Sequence, residues 1–393
     1  MSRVADIKAL PISTGAIVCN QWQIVKKLGE GGFGAVYEVK NLRNPNQMGA
    51  LKAEPFGAFK DDEVLKMEAH VLKAMSKSKH STKLFATGKT PKYNFIVMTL
   101  LGKSLSDLRR DVPNMIFSRG TVVHIGLECL EAIEELHKVG FVHRDIKPSN
   151  FAIGRKKNQA RNLFIYDFGL ARQFLIVENG KERLRDPRKT VPFKGTVRYC
   201  SLNVHRFEEY GRHDDLWRSV SHPFLPQSTK CPYSMLYMLV EMYSGSLPWK
   251  GMDRRKAEVT KENCDEEFRK LMPREFLPIV KHLRKLNYLK TPDYLLIRDA
   301  ISAAVTKNRL EFGAPLDWEE AVKHPKKGAT KAAVKVSKAA DERREAECND
   351  QNTRCDVEDI DDNDYGYDDV ASHVSGVSGA DDTLQKLDEF KQT

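Results

Sequence analysis

The sequence predicts an α+β fold in two lobes, a small β-rich lobe over about residues 21–100 and a larger, mainly helical lobe over about 101–318. Three observations point to it. Short apolar segments broken by glycine and turn residues fill 21–52, helical periodicity dominates after Leu101, and the composition changes abruptly after Trp318.

Residues 1–20 read as an extension ahead of the fold. Ile24-Val25, Ala35 to Val39 and Ala50-Leu51-Lys52 read as strands, separated by glycines or by the turn Asn44-Pro45-Asn46. Residues 61–77 form a helix with Val64, Val71, Leu72 and Met75 on one face, and Phe95 to Leu101 is a buried strand. Thr121 to Lys138 is a helix with apolar positions at Val122, Ile125, Cys129, Ile133 and Leu136, closed by Gly140 as a C-terminal cap. Beyond it all, 319–393 is a charged tail. Asp356 to Asp369 is acidic and almost free of large aliphatics, so it cannot bury enough surface to offset chain entropy. The tail is expected to be disordered, with a transient helix over Lys331 to Ala340.

Charge is unevenly placed. Residues 321–393 carry 11 Lys and Arg against 17 Asp and Glu, a net −6, while the whole chain of 393 residues is +10, leaving +16 on residues 1–320. A basic body with an acidic end suggests anionic partners, or a tail that folds back on its own body. Membrane insertion is excluded as an expectation, because no apolar run approaches the roughly 18 residues a span needs. Asp6 and Lys8 interrupt any signal-peptide core in the first ten residues. Seven scattered cysteines without CxxC spacing argue for reduced thiols in the cytosol or nucleus, not for disulfides or zinc.

The chemistry begins with Gly29-Glu30-Gly31-Gly32-Phe33-Gly34-Ala35-Val36, a G-x-G-x-x-G-x-V run. Glycines let backbone N–H groups approach phosphate oxygens with no Cβ in the way. Dinucleotide-binding folds use a similar run but need a helix after the last glycine, and here Ala35 to Lys40 alternates as a strand. Lys52 gains meaning from Glu68, which lies four residues after Val64 and four before Leu72 on the apolar face of its helix. A carboxylate there needs a partner, and Lys52 is the natural one, its ammonium aimed at the α- and β-phosphates. His143-Arg144-Asp145-Ile146-Lys147-Pro148-Ser149-Asn150 and Asp167-Phe168-Gly169 complete the set. Asp145 would accept the proton of a substrate hydroxyl, Asn150 and Asp167 would hold Mg²⁺ through oxygen, and Lys147 would neutralise a moving phosphate.

With these motifs in this order, the chain resembles the eukaryotic protein kinase superfamily over residues 21 to about 318, and the fold this implies is the two-lobed protein-kinase fold. Within that superfamily it is similar to the casein kinase 1 group and, inside it, to the tau-tubulin kinases. The narrower likeness rests on the run from His143 to Gly154, Lys194-Gly195-Thr196-Val197-Arg198-Tyr199, Ser201-Leu202-Asn203 in place of the usual Ala-Pro-Glu, Gly211 to Trp217, and Leu247-Pro248-Trp249. The resemblance implies ATP and Mg²⁺ as cofactors. It implies a nucleotide pocket with Gly29, Gly31, Gly32, Gly34, Val36, Ala50, Lys52 and Asp167, Met98 as gatekeeper and Leu101 bonding to adenine. It also implies Thr196 beside Asp145 and Lys147, favouring serine and threonine, and Asp215 anchoring the catalytic loop. It suggests protein substrates, cytoskeletal ones among them, and a monomer. The basic residues Arg172, Lys181, Arg183, Arg185, Arg188, Lys189, Lys194 and Arg198 suggest acidic or phosphorylated substrates.

One segment departs from the group. Its members run from Asp-Asp-Leu-Trp straight into a buried helix, whereas here residues 218–233 intervene and bring Pro223, Pro226 and Pro232. Proline inside a helix costs about 3 kcal/mol or more, so the helix is expected to break. Either the insert loops out, or it is foreign to the coding sequence, as a retained intron would be. Two rival readings follow: a catalytically dead scaffold of the same fold, supported by the insert, and a nucleic-acid binder, supported only by basic charge without a recognition motif.

Overall fold

A computed structural model of the chain describes residues 12–31, 34–55, 64–216, 234–307 and 313–319. The insert 218–233, the charged tail, Trp217 and Gly32 lie outside the described residues. Six antiparallel strands make the small lobe: β1 (Ile17–Val18), β2 (Trp22–Gly31), β3 (Gly34–Asn41), β4 (Met48–Pro55), β5 (Leu84–Lys89) and β6 (Tyr93–Thr99), ordered β1-β2-β3-β4-β6-β5. Helix α1 (Val64–Ala74) lies between β4 and β5 in sequence. The sheet starts before residue 21, because β1 pairs with β2 across a tight turn in which Cys19 and Asn20 both have φ near +50° (51° and 49°). Trp318 packs edge-on against Phe117 and donates its indole N–H to the Ala160 carbonyl.

Strand alternation sorts the small lobe. Ala35, Tyr37, Val39, Leu51, Ala53, Phe95 and Val97 pack on one face with Trp22 and Ile24. The opposite face therefore carries Val36, Ala50, Lys52, Ile96 and Met98, and the register sets Val36 beside Lys52 and Ala50 beside Met98. Strand β6 ends at Thr99, two residues short of the expected Leu101.

The large lobe comprises α2 (Leu105–Asp111), α3 (Arg119–Lys138), β7 (Phe141–Val142), β8 (Phe151–Ile153), β9 (Leu163–Ile165), β10 (Arg172–Gln173), the hairpin of β11 (Leu175–Glu178) and β12 (Lys181–Leu184), α4 (Leu202–His205), α5 (Arg212–Leu216), α6 (Ser234–Ser244), α7 (Arg254–Asn263), α8 (Asp265–Leu271), α9 (Leu277–Leu283) and α10 (Tyr294–Lys307). Helix α3 buries each apolar position expected of it, from Val122 to Leu136. Ser118 caps its start through the Thr121 N–H, and Gly140, with φ +88°, turns the chain just past its end. Cys129, Cys200 and Cys264 are free and buried, whereas Cys19 is disulfide-bonded, against the expectation of reduced thiols throughout.

Helices α5 and α6 flank the insert and pack on one another, and every residue from Ser234 to Met242 is buried. Deleting 218–233 is expected to let them join as one helix and recover several backbone hydrogen bonds, each worth about 1 kcal/mol. The melting temperature should rise by about 2–4 °C per kcal/mol gained. Thermal unfolding of both chains, with and without an ATP analogue, measures this. If the chain as written melts no lower and binds nucleotide equally well, the insert is a tolerated loop.

Candidate active site

The glycine run is the β2–β3 hairpin, with Gly29 opposite Val36 and Gly31 opposite Gly34. At Gly34, where φ is +135°, a Cβ would lie 2.0 Å from the Ala53 carbonyl oxygen, so the turn into β3 admits no other residue. Gly29 and Gly31 have open space where a Cβ would stand, leaving the hairpin's backbone approachable.

Lys52, in the middle of β4, reaches two carboxylates. Its Nζ lies 2.5 Å from Glu68 Oε2 and 2.8 Å from Asp167 Oδ1. Glu68 is buried on the inner face of α1, as its spacing required. Burial alone would lower the Lys52 pKa, but the two carboxylates outweigh it and raise it above the ordinary lysine value. Asp167 shows the converse: burial pushes its carboxyl up, yet Lys52 holds it below the usual range. The backbone at Asp167 is left-handed, with φ +66°, and Phe168 beside it is fully buried. Gly169 follows because a Cβ there would meet Val64 Cγ1 at 2.7 Å.

Asp145 collects the catalytic loop. Its Oδ1 accepts the Thr196 hydroxyl at 2.8 Å, and its Oδ2 is ion-paired with Lys147. The Asn150 amide donates to the Asp145 carbonyl at 2.9 Å. That bond commits the amide nitrogen and leaves the Asn150 oxygen for other use. With the Asp167 carboxylate it offers the oxygen donors a hard divalent cation prefers, so the residues present fit Mg²⁺.

Beneath the loop, Asp215 accepts the backbone N–H groups of His143 at 2.7 Å and Arg144 at 3.0 Å. Two further partners were not read from the sequence: His137 Nε2 at 2.9 Å and the Tyr210 hydroxyl at 2.9 Å. Burial keeps His137 neutral, so it donates to Asp215 from Nε2 and accepts the Tyr294 hydroxyl at Nδ1, 2.7 Å away. Arg144 sits at φ +68° and gives its Nε–H to the Leu170 carbonyl.

The segment from Lys194 to Asn203 is held by a lysine that sequence reasoning missed. Lys261, fully buried on α7, donates to the carbonyls of Val197 at 2.6 Å and Cys200 at 2.8 Å. Its ammonium lies over the rings of Tyr237 and Trp249, and burial lowers its pKa to about 8. The only sequence signal was its place four residues after Ala257, too short a pattern to read. Of the remaining predicted residues, Met98 is buried on β6, its sulfur accepting the Thr82 hydroxyl, and Leu101 is half-buried just beyond that strand.

The expected cluster of substrate-facing arginines is partly spent internally. Arg172 and Arg188 pair with Glu209, Arg183 pairs with Glu178 and Asp186, and Arg198 pairs with the buried Glu241. A groove lies beside the catalytic loop, lined among others by Arg110, Lys147, Thr196, Arg198, Glu241 and Lys250, with Arg110 paired to Asp107.

Comparison with known proteins identifies the family. Residues 22–221 match the family model described as "Protein kinase domain". A "Probable serine/threonine-protein kinase" of Dictyostelium discoideum is 33% identical over 309 residues, covering 78% of this chain and 58% of that relative. The serine/threonine-protein kinase spe-6 of Caenorhabditis elegans is 29% identical over 333 residues, covering 81% and 82%. Casein kinase I homolog 3 of Schizosaccharomyces pombe is 31% identical over 318 residues, covering 77% and 66%.

Proposed function

The chain belongs to the protein kinase family as a serine/threonine kinase that uses ATP, and on that premise we propose a division of labour among its residues and a preference for acidic or phosphorylated substrates. The observation that carries the first part is the Lys52 ammonium clamped between Glu68 and Asp167 while Asp145 is bonded to Thr196 and Lys147. A scaffold without catalysis has no need of that constellation.

In this reading the β2–β3 hairpin covers the phosphates and Lys52 fixes the α- and β-phosphates. Asp145 orients the substrate hydroxyl and takes its proton as the oxygen bonds to the γ-phosphorus and the bond to ADP breaks. Lys147 offsets charge on the transferred group, and Thr196 holds the Asp145 carboxylate in place. Asp167 and Asn150 would hold Mg²⁺, which supplies charge neutralisation at the phosphates.

The substrate preference rests on the groove. Arg110, Lys147, Arg198 and Lys250 all line it, Arg198 and Arg110 each sharing its charge with one acidic side chain of the protein. Each partly exposed pair with a substrate carboxylate or phosphate is worth about 1 kcal/mol, so two or three would favour acidic peptides by about tenfold or more in kcat/KM. Matched peptides carrying Asp, phosphoserine or Lys near the target serine test this, with the advantage shrinking as salt rises. Equal rates at moderate salt would sink the preference and leave the kinase assignment standing. We place cytoskeletal proteins among the substrates on family resemblance alone.

A further inference from the structure

His80 stands where the chain leaves α1 for β5, and it is 1% exposed. Its surroundings fix its orientation. Its backbone N–H bonds to the Ser78 hydroxyl at 3.0 Å, and its carbonyl accepts the Ile165 N–H at 2.9 Å. Its Nδ1 lies 2.8 Å from the Leu163 carbonyl, which can only accept, so Nδ1 carries a proton. Glu128 sits 3.8 Å from the same nitrogen and accepts the Leu163 N–H at 3.1 Å. The other ring nitrogen, Nε2, is buried and makes no hydrogen bond. It points at two carboxylates four residues apart on α3, with Glu131 Oε2 3.6 Å away. Nε2 and one oxygen from each of Glu131 and Glu135 all lie within 4.8 Å of one another.

Three acceptors that face one another call for a cation between them. We infer that His80, Glu131 and Glu135 form a binding site for a borderline divalent cation of the Zn²⁺ class, separate from the nucleotide cleft. The donor chemistry favours this class over Mg²⁺, which takes oxygen ligands and parts with water reluctantly. A ligating imidazole characteristically gives its second N–H to a carbonyl or carboxylate, and His80 gives its own to Leu163 with Glu128 alongside. Metal–ligand distances of about 2.0–2.2 Å require the three atoms to draw in to about 3.3 Å, a side-chain rotation for Glu135. Glu131 is half-exposed, and its other oxygen is paired at 2.8 Å with Lys79, a side chain exposed enough to swing into solvent. Glu135 also accepts the Ser78 hydroxyl, which keeps its carboxylate turned to the same side. Cysteine spacing gave no hint of such a site because no cysteine takes part in it.

The bound ion would staple the segment after α1 to α3, so it should be visible both as binding and as stability. The full-length protein, stripped with a chelator and kept in excess Mg²⁺ to occupy the catalytic carboxylate, is titrated with Zn²⁺ by calorimetry. Glu131→Gln/Glu135→Gln is titrated in parallel. Both substitutions are on partly exposed helix positions and should leave the fold intact, which circular dichroism checks. The wild type is expected to bind one more Zn²⁺ per chain than the variant and to gain melting temperature on binding, a gain the variant lacks. Co²⁺ should give visible absorption bands in the wild type that are missing in the variant. Equal stoichiometry and affinity in the two proteins, including no binding by either, would overturn the site and leave Lys79 as the cation that Glu131 faces.

Discussion

Asp145→Asn is expected to lower kcat about 10²–10⁴-fold, the range ascribed to a positioned general base, while leaving nucleotide binding and melting temperature near the wild type. The substitution keeps the shape of the side chain. An asparagine oxygen can still accept the Thr196 hydroxyl, which the structure places 2.8 Å from Asp145 Oδ1. What it cannot do is take up the proton of the acceptor hydroxyl or form the ion pair with Lys147. The loss should therefore appear in kcat under saturating ATP and peptide, with little change in the KM for ATP, because Lys52, Glu68 and Asp167 remain as they were. Steady-state and single-turnover assays with a casein-type substrate separate the two parameters. A variant within threefold of the wild type would remove Asp145 from the chemistry, whereas no turnover by the wild type itself would revive the reading of the chain as a scaffold. Asp167→Asn serves as a comparison. It weakens the partner of Lys52 as well as the oxygen set for Mg²⁺, so its damage should extend to the KM for ATP.

How much of this was legible in the sequence depends on how far each interaction reaches. Glu68 could be placed on the buried face of its helix because helical spacing is local, and its partner followed because a buried carboxylate needs one. The face shared by Val36, Ala50, Lys52 and Met98 follows from strand alternation once the register is known. The loop residues were legible because phosphoryl transfer admits few residue types at those positions. Of the supports under them, Asp215 was read only through the family resemblance, and its partner His137 and the buried Lys261 were not read at all. His137 and Asp215 lie 78 positions apart and Lys261 and Val197 lie 64 apart, and no periodicity connects them. The arginines of the segment after Asp167 were misjudged for the same reason. Glu209, which claims two of them, reads in sequence as an ordinary surface glutamate in Phe207-Glu208-Glu209. The early start of the sheet was missed because a two-residue strand gives no alternation to read.

Asp215 is where the largest loss of stability is expected. It is fully buried and accepts two backbone N–H groups, the His137 imidazole and the Tyr210 hydroxyl. Asp215→Asn keeps the volume but turns an NH₂ group toward donors, so at least one backbone N–H of His143 or Arg144 loses its acceptor. Breaking a buried charged network of this kind costs about 3–5 kcal/mol. At about 2–4 °C per kcal/mol, the melting temperature should fall by about 6–20 °C. Catalysis should fall further than stability suggests, because Asp215 holds the left-handed backbone at Arg144 that presents Asp145. The pH dependence carries a second signature. Burial alone would raise the Asp215 carboxyl, but the bonds from His137 and the loop hold it below its ordinary value. A depressed carboxyl contributes stability that is fully present above its unfolded pKa, about 3.9, and is lost as pH falls through the lower folded value. The gap between wild type and Asp215→Asn should therefore be constant through neutral pH and close only in acid, below about pH 4. Urea unfolding of both proteins across pH measures it. A difference under 1 kcal/mol at neutral pH would mean that the catalytic loop is held chiefly by its own packing around His143 and Phe168.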